Sequence, residues 1–168
     1  MKHTNIFVFL LFSLSTTKAY SVRRQDPGTP HGGVQCPHLF YRGQNTCYRV
    51  VRIQATWPEA LAYCEAYRAE LAIIQSAEEQ KFLENYIKTE AASLSSHTFW
   101  LGASDIMTEG DWRWAVTLDQ VTYQNWAQGA PNNGHNLAHC LHISGGSGFL
   151  WKDGNCENKH YFVCETLL

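Results

Sequence analysis

The sequence predicts an α+β fold in one domain. Two helix-start signatures, at Thr56 and Ser76, each open an amphipathic stretch. Beyond about residue 92 the helical period gives way to short strand-like runs separated by a long polar loop. At 168 residues the chain suits one domain of roughly 100–200 residues. Its 45% apolar content is enough for a core and excludes wholesale disorder. A formal charge of −2 gives no basic footprint for nucleic acid. No solenoid-period repeat is visible, and the longest apolar run, Ile6–Phe12, is far short of the roughly 20 residues that span a bilayer.

The N-terminus reads as a secretory signal. Lys2 gives a basic start, Ile6–Leu14 an apolar stretch, and Thr17-Lys18-Ala19 a small-residue cleavage site after Ala19. The expected organisation is a signal peptide over 1–19, a flexible lead-in over 20–35 and a folded domain over 36–168, secreted and extracellular. The lead-in is rich in Gly and Pro, and its Arg23-Arg24 pair is a candidate processing site.

Within the domain, Cys36–Tyr41 and Thr46–Val51 flank Arg42-Gly43-Gln44-Asn45, which predicts a hairpin. Thr56-Trp57-Pro58-Glu59 predicts a capping box, followed by Trp57, Ala60, Leu61 and Cys64 on one helical face. Ser76-Ala77-Glu78-Glu79 repeats the box, with Phe82, Leu83, Tyr86 and Ile87 as its buried stripe, fading near Thr89. Leu71–Ile74 between them predicts a strand. Phe99–Ala103 is strand-like, and alternation puts Trp112 and Trp114 on one face. Trp126–Gly148, dense in Gly, Asn and His, predicts a loop of about twenty residues, a length that points to function. Trp126 itself reads as core. Leu150–Lys152 and His160–Glu165 predict closing strands.

The six Cys face an oxidising route. Spacing does not choose among 15 disulfide connectivities. No two Cys have the C-x₂₋₄-C spacing of structural zinc sites. His135, His139 and His142 cluster around Cys140, but a strand there would turn His139 and His142 to opposite faces. The chain has no G-x-S-x-G and no H-E-x-x-H, and it reads as a binding protein, not an enzyme.

Several motifs together resemble the C-type lectin-like domain family, from Cys36 to Glu165. They are Trp100-Leu101-Gly102-Ala103, Glu109–Trp114, Tyr123–Trp126 before Ala130-Pro131-Asn132, Trp151-Lys152-Asp153, and Tyr161–Glu165. Within the family the chain looks most like the perlucin-like group of secreted molluscan lectins. The resemblance implies the long form of the fold, with two helices, small antiparallel sheets, a long loop region and the disulfides Cys36–Cys47, Cys64–Cys164 and Cys140–Cys156.

The resemblance also implies a primary Ca²⁺ site at positions 130, 132, 138, 152 and 153. Only Asn132 and Asp153 retain an oxygen donor there; Ala130, Ala138 and Lys152 replace the others. Lys152 is expected to pair with Asp153 in place of the cation. Ca²⁺ takes six to eight oxygens, so calcium at this site is expected to be weak or absent. Asp105 and Glu109 fall on an accessory Ca²⁺ site whose other carboxylates are replaced by Asn133 and His139; two acids four residues apart also suit an ordinary solvated loop. Sugar recognition without the metal would fall to Asn132, Asn133, His135, Asn136, His139, Lys152 and Asp153, because amides and imidazoles donate and accept. The Asn at 132 leans toward the mannose/glucose-type triplet, while Asn and Gly here also suit simple turn-making. The implied function is a secreted carbohydrate-binding lectin in innate recognition or agglutination, with glycans or glycoproteins as partners and any homo-oligomer held without an intermolecular disulfide. The competing reading is a module that binds protein or mineral surfaces such as shell matrix.

Overall fold

In the computed structural model, residues 35–168 are described; the signal peptide and nearly all of the lead-in lie outside them. The expected hairpin forms, but its first arm is short: of Cys36–Tyr41 only Tyr41 is strand, and Arg42, expected in the turn, joins it in β1 (Tyr41–Arg42) against β2 (Thr46–Ala55). Helix α1 (Trp57–Ala66) starts at the full capping box: Thr56 Oγ1 accepts from the Glu59 amide at 3.4 Å, and Glu59 accepts from the Thr56 amide at 2.9 Å. Pro58 sits in the first turn, where its missing N–H costs no helical bond. Helix α2 (Ala77–Glu90) has half of its expected box. Ser76 accepts from the Glu79 amide, but Glu79 reaches past it to the Gln75 amide at 2.7 Å.

Between the helices only β3 (Glu70–Leu71) is strand. The expected strand over Leu71–Ile74 is corrected for Ala72–Ile74, which are buried outside the ladder. Ala72 nonetheless bridges two strands, donating to Val163 O at 2.9 Å and accepting from the Gly102 amide at 2.9 Å.

The remaining strands are β4 (Thr98–Ser104), β5 (Arg113–Trp114), β6 (Ala138–Ser144), β7 (Trp151–Asn155) and β8 (His160–Leu167). The path β1-β2-β8-β4-β6-β7 runs through one sheet, with β3 on β8 and β5 on β4. The small antiparallel sheets of the sequence reading are joined by one parallel contact, Phe99↔Tyr161 and Trp100↔Phe162. The loop expected over Trp126–Gly148 is shorter than predicted. Its second half is β6, held between β4 and β7 by pairing that local propensity does not reveal. Among the described residues no helix is long and apolar enough to cross a membrane.

All three expected disulfides form, and no Cys is free. Cys64–Cys164 ties α1 to β8 across a separation of 100 residues, a loop whose closure is worth about 4.7 kcal/mol in the chain-entropy account. With every Cys used within the chain, none remains for a bridge between copies.

Indole donors knit the core. Trp57 donates to Leu101 O at 2.8 Å and Trp100 to Ala55 O at 3.1 Å. Trp151 donates to Gln80 Oε1 at 2.8 Å, and Gln80 donates onward to Phe149 O at 3.1 Å. Gln80 is thus a buried polar residue with both ends of its amide satisfied. Trp112 and Trp114 are both buried, as their alternation predicts. Trp126 is half-buried edge-to-face against Trp112 at 4.9 Å and Trp151 at 5.6 Å.

Two constraints here are open to measurement. A Cβ on Gly102 would stand 2.6 Å from Leu71 O, a backbone atom. Gly102→Ala is expected to destabilise the fold by about 1–3 kcal/mol, read as a lower denaturant midpoint. Burial, aided by neighbouring Glu70 and Glu79, pushes the Glu165 carboxyl up from 4.5 to about 8. The folded state then holds a proton that the unfolded chain has released. Glu165 therefore contributes stability that is full below pH 4.5 and is lost as pH rises to about 8. Glu165→Gln, neutral at every pH, is expected to gain on the wild type between pH 5 and pH 8.5 in denaturation midpoints; a constant offset would contradict the account.

Candidate functional site

The loop from Ala130 to Leu137 is fastened to β7 through Asp153 and runs into β6 at Ala138. Two carboxylates organise it. Asp153, on β7, accepts through one oxygen, Oδ2, from the backbone amides of Asn132 at 2.9 Å and Asn133 at 2.6 Å. Its other oxygen, Oδ1, is buried with no hydrogen-bond partner. No ion pair joins Lys152 to Asp153 among the described residues. The expected pair is corrected: two amides hold the carboxylate, and Lys152 is exposed, one step along a strand whose side chains alternate.

The second carboxylate is Asp105, just past β4. It is only 2% exposed, against the expectation of a solvated loop acid. The Asp105 amide donates to His139 O at 3.1 Å, which fixes the start of the loop against β6. The Gly110 amide donates to Asp105 Oδ2 at 2.9 Å. That leaves Oδ1 3.1 Å from His139 Nδ1, while Glu109 Oε2 stands 3.4 Å from the same nitrogen. Asn133 joins the two groups. Its Nδ2 donates to Glu109 Oε2 at 2.6 Å and its Oδ1 accepts from the Ala138 amide at 3.3 Å.

Five predicted residues therefore come together with the Asn132 backbone: Asn133, Asp153, Asp105, Glu109 and His139. His135 and Asn136 do not join them. Both are exposed, and Asn133, His135 and Asn136 have positive φ of 44°, 57° and 57°. Asn takes that left-handed region readily, His less so, and the segment is one tight turn ending in the bond from the Leu137 amide to Gly134 O. His142 turns away from His139, as strand alternation requires. It packs edge-to-face on Trp100 at 5.7 Å, and burial lowers its pKa from 6.5 to about 4. The zinc cluster of three His is therefore not assembled.

The sequence reading missed the Gly110 and Ala138 amides, because a backbone donor has no residue-type signal. Two clefts of about 560 Å³ lie elsewhere, beside Leu61, Val116 and Leu167 and beside Phe40, Arg49 and Tyr63.

The primary position is poor in donors for Ca²⁺: Ala130 and Ala138 offer no side-chain oxygen, Asp153 Oδ2 already accepts two amides, and an ammonium-bearing residue precedes it, which leaves the Asn132 side chain and Asp153 Oδ1. The accessory position holds Asp105, Glu109 and His139 with ligand atoms all within 4.8 Å of one another. It can hold a metal ion, but through a mixed nitrogen and oxygen set.

Two helices on a mixed sheet, three intrachain bridges and a polar loop fastened across β6 and β7 define a lectin-type domain. Residues 53–166 match the Lectin C-type domain, and the chain belongs to that family. It is 34% identical over 131 residues to perlucin of Haliotis laevigata, covering 77% of this chain and 82% of perlucin. It is 34% identical over 140 residues to C-type lectin domain family 10 member A of Homo sapiens, covering 80% of this chain but 41% of that longer protein. The human scavenger receptor C-type lectin carbohydrate-recognition domain superposes with a TM-score of 0.71 at 25% identity, over 80% of this chain and all of that one. The C-type lectin CEL-I from Cucumaria echinata gives 0.73 at 27% identity, over 80% of this chain and 100% of its own.

Asp153 should act here as a structural clamp. Asp153→Ala leaves the Asn132 and Asn133 amides without their acceptor and is expected to speed their hydrogen exchange at least tenfold. Asp153→Asn, which keeps an acceptor oxygen, should restore most of the protection.

Proposed function

We propose that the chain is a secreted carbohydrate-binding lectin that acts in recognition or agglutination and binds its glycan without Ca²⁺ at the primary position. On this reading 1–19 is the signal peptide, 20–35 the lead-in and 36–168 the recognition domain. The observation that carries it is the double amide bond to Asp153 Oδ2. The loop is shaped by its own backbone bonds, where a calcium-dependent site would use an ion to do so.

Recognition then falls to neutral donors and acceptors: the exposed Asn132, His135 and Asn136, with Asn133, His139 and the Lys152 ammonium at the edge. Amides and imidazoles can donate and accept at once, which suits vicinal hydroxyls. Lys152 adds donors only, and a carboxylate or sulfate on the glycan would strengthen its contact. The lectin relatives support a binding role over catalysis.

A glycan array probed with Ca²⁺ and again with chelator tests this. Equal binding in both arms, reduced at least tenfold by Asn132→Ala combined with Asn136→Ala, is the expected result. Binding confined to the Ca²⁺ arm would overturn the metal-independent site. Silence in both arms would overturn sugar recognition and favour a protein or mineral surface as the partner.

A further inference from the structure

We infer that Asp105, Glu109 and His139 form a site for a borderline divalent transition ion, for which Zn²⁺ is the probe, and not for Ca²⁺. The inference goes beyond the glycan reading and does not depend on it.

The donor set comes first. Calcium is held by six to eight oxygens at about 2.3–2.6 Å. This cluster has two carboxylates and an imidazole nitrogen. Asn133 turns its amide nitrogen, not its oxygen, toward Glu109, so the next residue in reach adds a donor hydrogen and no ligand. One imidazole with two carboxylates suits zinc and its neighbours in the transition series.

The spacing agrees. A tetrahedron on bonds of about 2.0 Å has ligand–ligand edges of about 3.3 Å. The edges from His139 Nδ1 are 3.1 Å to Asp105 Oδ1 and 3.4 Å to Glu109 Oε2. His139 already stands near the separations the ion would impose, and the third edge, between the carboxylates, lies within 4.8 Å.

Support and electrostatics complete the case. Each carboxylate is held from outside the cluster. Gly110 N–H fixes Asp105 Oδ2 and leaves Oδ1 facing His139; Asn133 Nδ2 fixes Glu109 Oε2. Outer hydrogen bonds of this kind orient ligands and raise affinity. Asp105 is 2% exposed, and its ion-pair partner among the described residues is His139. A buried carboxylate, a second carboxylate and an imidazole nitrogen converge here, an arrangement that a cation between them would stabilise. Water would complete the coordination from the exposed side, where Glu109 sits.

The test is calorimetric titration of glycan-free protein with Zn²⁺ and with Ca²⁺, on the wild type, Glu109→Gln and His139→Asp. One Zn²⁺ per chain is expected, weakened at least tenfold by Glu109→Gln, a change at an exposed side chain that the fold tolerates. His139→Asp should lose Zn²⁺ by a similar factor and gain affinity for Ca²⁺, reversing the preference. Circular dichroism confirms that each variant is folded. Absence of Zn²⁺ binding up to about 1 mM, Zn²⁺ binding unchanged in both variants, or wild-type binding of Ca²⁺ tighter than Zn²⁺ would each overturn the inference. Because no glycan is present, such a failure leaves the array result standing, and a failed array leaves this result standing.

Discussion

The fold depends on the short parallel contact between β4 and β8. Phe99 and Trp100 meet Tyr161 and Phe162 there, and without that contact the structure separates into two smaller sheets. On one side β8 carries β2, β3 and the Cys64–Cys164 bridge to α1. On the other, β4 carries β5, β6 and, through β6, β7. Two indoles brace the seam from opposite directions, Trp57 reaching Leu101 O and Trp100 reaching Ala55 O. Gly102 lets β4 approach Leu71 closely enough for the bond from its amide to Ala72 O. The loop from Ala130 to Leu137 joins the outer half, so its platform is only as well placed as this seam.

Local signals made the helices and most strands legible. Thr56 and Glu59 announce α1 because a capping box is complete within four residues. The buried Gln80 was not legible. It interrupts an apolar pattern, and its partner Trp151 lies 71 residues away. The single sheet was hidden for the same reason: a parallel contact between residues some sixty positions apart leaves no mark on either strand. The residue types of the candidate site were legible through family resemblance, and their roles were not. Asp105 looks like a solvated acid until the Gly110 turn and the His139 backbone are seen to enclose it. Lys152 looks like a counter-ion for Asp153 until the two loop amides are seen to hold its Oδ2.

The two carboxylate centres are one hydrogen-bonded unit, and Asn133 is the residue they share. Its backbone amide binds Asp153, its side-chain nitrogen binds Glu109, and its side-chain oxygen takes the Ala138 amide at the entry to β6. Hydrogen bonds to charged acceptors are worth roughly 1.5–3 kcal/mol each. Three such bonds, two to Asp153 and one to Glu109, tie the loop down at its base. A lectin loop of this kind must be ordered before it can read hydroxyl positions, because ordering on binding subtracts from affinity. In this chain the ordering comes from amides on carboxylates. Losing the acids at positions 130 and 138 therefore need not loosen the loop, and the functions of shaping the site and of charging it have become separable. Any cation that settles between Asp105, Glu109 and His139 would steady Glu109, then Asn133, then the two amides on Asp153. Its effect on the glycan face would be one of rigidity, transmitted through named bonds, with no direct contact between ion and sugar.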